Sequence, residues 1–515
     1  MRTFQLIKLN LIKQTRRRSF ALILLISVFL GWLCVPAAND SYEIFYMDGV
    51  RGIYNSAWLG AIASMLSTIL LWLPGFYLLR SQITEDRQQK IGQILAATPV
   101  TKFQYILSKF FSNFVVLSVL ELLFLVSLMV MQMIRGESRF LSVLDYLQPF
   151  LFVTVPYLFL LAAFTILFDV IGCLKGAFGN VLIFIFWVTM TSLSVAVPGK
   201  IFDVFAIGKL LSAMTAGASQ AFSYVSSESG SFGFYPHTNP TPTFVWSGMT
   251  WEKSFLLSRL LWVGIAFFIC AFSALVFDRF KRNVSEKEAS KAEGHKETVK
   301  KQASSFQPLP PVLIRKSVSV FSLLKGEMKI LTAGLSKGWH VTYLATILLA
   351  WILPLKQVRW ISVILLILMP VWSKAGCDRK MFGTKALLIA SGQQGKKWWA
   401  CWMDEILLSL LLSSGVIVRY FLMGKMLQGI GWFVGTVFIP TLALFLGTIS
   451  ESQCLFEAVF IVWFYLGCIN NMGKLDFLGI AENNTVFYLV LTVVLLIIGR
   501  LAFSTTNNQT SKCSS

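Results

Sequence analysis

Histidine and charge are both scarce in this sequence. The three histidines, His237, His295 and His340, are far apart in the chain, so no histidine-based metal cluster or catalytic dyad is suggested. Charged residues make up 14% of the 515 and hydrophobic residues 56%. Soluble domains carry about 25% charge, so this balance excludes a soluble enzyme. The eight cysteines include no CxxC pair, and Cys34, Cys173, Cys270 and Cys468 lie inside apolar runs. They read as buried free thiols, not as a disulfide framework or a zinc site. A GxxxxGK[ST] phosphate loop is also missing. The stretch "GQQGKKW", Gly392 to Trp398, has glycines and a lysine at the wrong spacing to cradle a phosphate. With no HExxH, no GxSxG in a strand–helix context and no paired carboxylates, catalysis by this chain is unsupported.

What the chain has is long apolar runs, many close to the ~20 residues that cross a bilayer. Roughly twelve are read, at 19–37, 56–79, 104–133, 149–170, 179–197, 254–277, 340–354, 360–373, 398–422, 430–449, 455–470 and 485–503. The fold class expected is therefore all-α and polytopic. The net charge of +20 gathers in a few polar loops, including "TRRRSF", "DRFKRN", "IRKS", "DRKMFGTK" and "GKKWW". With both termini in the cytoplasm of a multi-pass cell-membrane protein, these loops fall inside, as the positive-inside rule requires. The charge is thus an orientation signal, and no nucleic-acid partner is expected. The basic start and the run 19–36 are read as a retained span, because 19–36 is long for a signal peptide and "CVPAAND" is a weak cleavage site.

The segment "NVSEKEASKAEGHKETVKKQASS", from Asn283, has no large apolar residue and reads as a solvated linker. It divides the chain into a first six-span module (1–280), a cytoplasmic linker (281–317), a second six-span module (318–505) and a cytoplasmic tail (506–515).

The two modules echo one another. Phe4, Ile7, Lys8 and Leu11 align with Phe321, Leu324, Lys325 and Met328, an apolar stripe at helical spacing with a lysine beside it. Each copy reads as an amphipathic helix in the headgroup region, in contact with lipid and leading into a span. After the second span comes "EDRQQKIGQILAATPVTKFQY", and after the eighth "CDRKMFGTKALLIASGQQGKKWW". Asp86 and Arg87 match Asp378 and Arg379, Leu95 matches Leu388, and Thr98-Pro99 matches Ser391-Gly392. Both stretches run from a charged start, with Lys90 and Lys380, through an apolar pair to a hydroxyl residue and a helix breaker. Six spans per module make the repeat parallel.

Intramembrane acids mark ion pathways, since such a charge costs roughly 2.5–3.5 kcal/mol on insertion scales. Glu121 is the one placed deep in a span, and Asp169 lies near a span end. A proton or sodium relay needs several on facing spans, so an ion-coupled secondary transporter of twelve spans is the alternative reading.

An N-terminal interfacial helix, a span pair and then the short "IGQILAATPVTKFQYILSKF" stretch resemble the permease subunits of type-2 ABC exporters. The family's charged start corresponds to Glu85, Asp86 and Arg87, its proline turn to Leu95–Lys102 with Thr98 and Pro99, and its following lysine to Lys109. The resemblance implies that this stretch is a coupling helix docking on a separate ATPase subunit. It is good across 1–280 and weaker across 318–505, where "IASGQQGKKWW" replaces the proline turn. It further implies two ATPase subunits per chain, which bind ATP and Mg while this chain binds no cofactor, and an amphipathic or hydrophobic substrate. The segment 198–253 is expected outside the cell, where the family carries short helices capping the exit. Reversing the charges of Glu85 and Asp86 is expected to uncouple transport without unfolding the chain.

Overall fold

The computed structural model describes residues 2–36, 42–89, 91, 98–174, 177–225, 231–236, 241–277, 320–333, 337–355, 358–377, 394–450, 452–469, 473–480 and 484–512. The linker 281–317 lies outside them, as do Lys90, Leu95 and the second charged stretch with Asp378, Arg379, Lys380, Leu388, Ser391 and Gly392.

Helices dominate. The first half holds α1 (Arg2–Thr15), α2 (Arg18–Leu33), α3 (Ser56–Leu70), α4 (Trp72–Leu79), α5 (Gln82–Gln88), α6 (Lys102–Arg135), α7 (Val143–Pro149), α8 (Val155–Val170), α9 (Ala177–Ala196), α10 (Ile207–Ala221) and α11 (Lys253–Val276). The second holds α12 (Val320–Ala333), α13 (Lys337–Ile352), α14 (Val358–Ser362), α15 (Met369–Trp372), α16 (Gln394–Leu422), α17 (Met426–Ser450), α18 (Gln453–Phe464) and α19 (Thr485–Lys512).

Six helical stretches among the described residues are long and apolar enough to cross a membrane: Lys102–Arg135, Val143–Val170, Lys253–Val276, Gly395–Leu422, Met426–Ser450 and Thr485–Ser504. A seventh is α3 running into α4 through a 48° bend. The remaining apolar runs fall on shorter helices, Phe20–Leu33, Leu182–Ala196, Gly338–Ile352, Val363–Trp372 and Leu455–Cys468. Some are cut short by irregular turns: a 3-10 stretch occupies Val363–Leu368 and a π turn Tyr465–Ile469. The chain is thus a helical membrane protein by the length and apolarity of its helices.

Burial orders these helices. In its most apolar window α17 is 72% buried and α19 only 22%, so α17 is a central helix and α19 faces lipid. Packing in the two halves follows one pattern. The amphipathic α1 lies on α6 and α12 lies on α16; α2 packs on α6 and α13 on α16. Further in, α6 meets α8 and α16 meets α17, while α8 meets α11 and α17 meets α19. Close crossings recur as well: Gly31 faces Ser127 between α2 and α6, and Gly415 faces Ala350 between α16 and α13. The halves meet chiefly where α4 packs on α18. There Trp187 sits edge-on to Tyr465 at 4.7 Å, and Asn180 donates to Glu457 at 3.4 Å.

One element was not foreseen. At the end of the bundle where α6 finishes, β1 (Tyr42–Tyr46) pairs antiparallel with β3 (Ser231–Pro236), and β2 (Arg51–Gly52) pairs parallel with β4 (Thr243–Phe244). Arg51 is the tie. It donates to Glu43 at 2.6 Å and forms a two-bond fork with Glu137 at 2.8 Å on each arm. Burial raises the Glu137 carboxyl, but the Arg51 fork and charge, with the Tyr54 amide, outweigh it and hold Glu137 below the usual carboxylate range. Beneath the strands Trp58 is fully buried against Phe45, Phe244 and Trp246. Within the segment 198–253 a helix begins at Ile207. Residues 199–206 form turns around Asp203, whose carboxylate accepts from the amides of Gly199 at 2.9 Å and Lys209 at 3.2 Å.

Candidate coupling site

The site is built at the other end of α6. Chain direction is set first by Ser81, which takes a left-handed conformation (φ 67°) and turns α4 into α5. Ser81 makes no side-chain cap for α5. Asp169, at the end of α8, takes that role from a distance, accepting from the amide of Ile83 at 2.5 Å and the hydroxyl of Thr84 at 2.7 Å. Pro99, which cannot continue a helix, marks the turn. Thr101 and Gln104 then start α6 with a reciprocal capping box, at 3.2 and 3.1 Å.

α5 is held by charge. Asp86 is 3% exposed. One of its oxygens meets Lys13 of α1 at 2.7 Å; the other meets Lys109 of α6 and the Tyr105 hydroxyl, each at 2.8 Å. Glu85 pairs with Arg17 and lies 3.8 Å from Lys13. A neutral ladder runs beside these pairs. Asn113 accepts from Gln14 at 3.0 Å and Gln82 at 2.8 Å, and donates to Thr165 at 2.9 Å. Lys109 also donates to Asn10 at 2.9 Å. Four helices, α1, α5, α6 and α8, are thereby fixed to one another through largely buried polar contacts, which are strong in low dielectric when every partner is present.

The sequence-selected residues divide accordingly. Glu85, Asp86 and Lys109 are brought together and engaged within the chain, while Arg87 and Pro99 are exposed and Thr98 and Lys102 half-buried. Reversing Glu85 and Asp86 therefore bears on the fold as well as on a partner: a cation in place of Asp86 removes its pairs with Lys13 and Lys109 and stands a third positive charge beside those two lysines. Lys13, Arg17, Asn10, Gln14, Tyr105 and Asn113 were not singled out. The legible signal for one of them, Asn113, is its place four residues from Lys109 on one face of a largely apolar helix.

The amphipathic stripes are less buried than their spacing implies. Phe4 is 72% and Phe321 76% exposed, and Lys8 and Lys325 are exposed beside them. Ile7 and Leu324 are half-buried, while Leu11 and Met328 pack on the core. The outward phenylalanines suit a headgroup layer. In the second half Glu327 of α12 pairs with Lys397 of α16 at 3.5 Å, which ties that amphipathic helix to its long neighbour too.

Glu121 is separate from this cluster. It is 1% exposed in the middle of α6, and neither carboxyl oxygen has a hydrogen-bond partner among the described residues. Ser67 and Tyr157 lie within electrostatic reach.

No family model, no curated protein and no solved structure matches this chain.

Proposed function

We propose that the chain is the membrane permease of an ATP-driven exporter of the type-2 ABC kind, with two parallel six-span modules and both termini in the cytoplasm. Its cargo is amphipathic or hydrophobic, in the class of peptides, antibiotics and lipids. ATP and Mg belong to separate ATPase subunits, two per chain. The observation that carries this reading is α5, a short helix between the second and third apolar segments, clamped to α1 and α6 by Asp86, Lys13 and Lys109. A helix fixed at one face in this way passes a push from a partner to the bundle as a rigid lever. The like-for-like packing of α1 on α6 and α12 on α16 supports two copies of that arrangement.

The face left for an ATPase carries Arg87, Pro99 and Lys102, and not Glu85 and Asp86, which are engaged internally. Gentle purification from the native host tests the reading. A co-purifying ATPase subunit is expected, and Arg87→Glu with Lys102→Glu should release it while the chain keeps its unfolding temperature. A chain that purifies alone, and whose transport follows an ion gradient in vesicles, would sink it. Glu121 favours that second reading, an ion-coupled secondary transporter.

A further inference from the structure

Two helix irregularities converge on Glu121. Ser67 stands in the last turn of α3, where the helix breaks and bends by 48° into α4. Thr154 closes a π turn, Phe150–Thr154, that leads into α8. Such breaks inside membrane helices free backbone groups and recur at binding sites. Between them lies a knot of oxygens. Thr154 donates to Ser64 at 3.2 Å, the Ser67 hydroxyl donates to the Ser64 carbonyl at 3.0 Å, and Ser67 also contacts the Tyr157 hydroxyl. All five side chains, Ser64, Ser67, Thr154, Tyr157 and Glu121, are buried.

Among the described residues no charged group acts on it. Tyr157 of α8 is the titratable group that interacts with Glu121. On the other elements packed against α6, Lys13 of α1 is bound to Asp86 and Asp169 of α8 to α5. Lys109 of α6 itself is twelve residues from Glu121, about 18 Å along a helix. Arg259 of α11 is bound to the carbonyls of Asp203 and Val204, and Cys270 is uncharged. A carboxylate with no cation beside it is not tolerated at such burial, whereas a carboxylic acid is.

We propose that Glu121 is an intramembrane proton-binding site, held as the neutral acid and exchanging its proton with water admitted at the α3–α4 break. Loss of the proton leaves the carboxylate and a hydronium; rebinding reverses both. The site stands whether an ATPase or an ion gradient drives the chain.

Infrared difference spectroscopy on the purified full-length chain in lipid tests it. A neutral-acid carbonyl band at pH 7 is expected, lost in Glu121→Gln, retained at a shifted frequency in Glu121→Asp, and moved down in D2O. Ser67→Ala should shift the band without removing it. No band difference between wild type and Glu121→Gln would overturn the proposal. So would a band that resists D2O, or one that emerges only when sodium is withdrawn, which would make Glu121 a metal-cation ligand.

Discussion

The two ends of α6 are tied by opposite arrangements of charge. At its start an acid is the hub: Asp86 is shared by Lys13 and Lys109, with Asp86 and Lys109 almost fully buried. Past its finish a base is the hub: Arg51 is shared by Glu43 and Glu137, and the Glu137 side chain is 33% exposed. Removing either hub leaves two like charges facing one another. Each hub has one partner that water reaches, Lys13 at 29% and Glu137 at 33%, and one that it does not, Lys109 at 3% and Glu43 at 7%, so the difference lies in the hubs themselves, Asp86 at 4% and Arg51 at 11%. The more buried hub fixes the geometry of the helices it joins, whereas the Glu137 arm of the other is open to screening and pH.

Asp86→Asn gives the sharpest contrast. Stranding a buried charge destabilises by about 3–5 kcal/mol, read as early labelling of the buried free thiols Cys34 and Cys270 by a thiol dye during heating. Arg51→Met should lose less, about 1.5–3 kcal/mol for charge-assisted hydrogen bonds, with faster hydrogen exchange confined to the strands. Acid tests the strand end. Because Glu137 is held below its ordinary range, its contribution is fully present above the unfolded value, about 4.3, and is lost as pH falls through the lower folded one. Acid below about pH 4 should therefore loosen the strand end in wild type and leave Arg51→Met unchanged; equal acid sensitivity in both would refute the assignment. The smallest effect belongs to Glu327→Gln, where the 3.5 Å contact to Lys397 is weakened. About 1 kcal/mol is expected, and a loss as large as that of Asp86→Asn would mean that the two amphipathic helices are clamped alike.

Much of this was written locally. Every apolar run read from the sequence falls on a helix, because span hydrophobicity and helix hydrogen bonding are satisfied within one segment. The Thr101–Gln104 capping box that starts α6 is local too. What escaped is long-range. Lys13 and Asp86 are 73 residues apart in sequence, and nothing in either neighbourhood names the other. Glu85 and Asp86 read as free charges for a partner, since a sequence shows charge and not occupancy. The strand pairs escaped because Tyr42–Tyr46 is a short aromatic run whose complement, Ser231–Pro236, lies across several helices.

Ser81 carries a mechanical consequence. On one side of it α4 packs against α18 of the other half, and on the other α5 is gripped by α1 and α6. A serine in the left-handed region has little torsional freedom compared with glycine. The joint is therefore a stiff elbow, and a small rotation of α5 must reappear as a rocking of α4 along the seam between the halves. Glycine at this one position would slacken the elbow while every contact on either side of it remained in place.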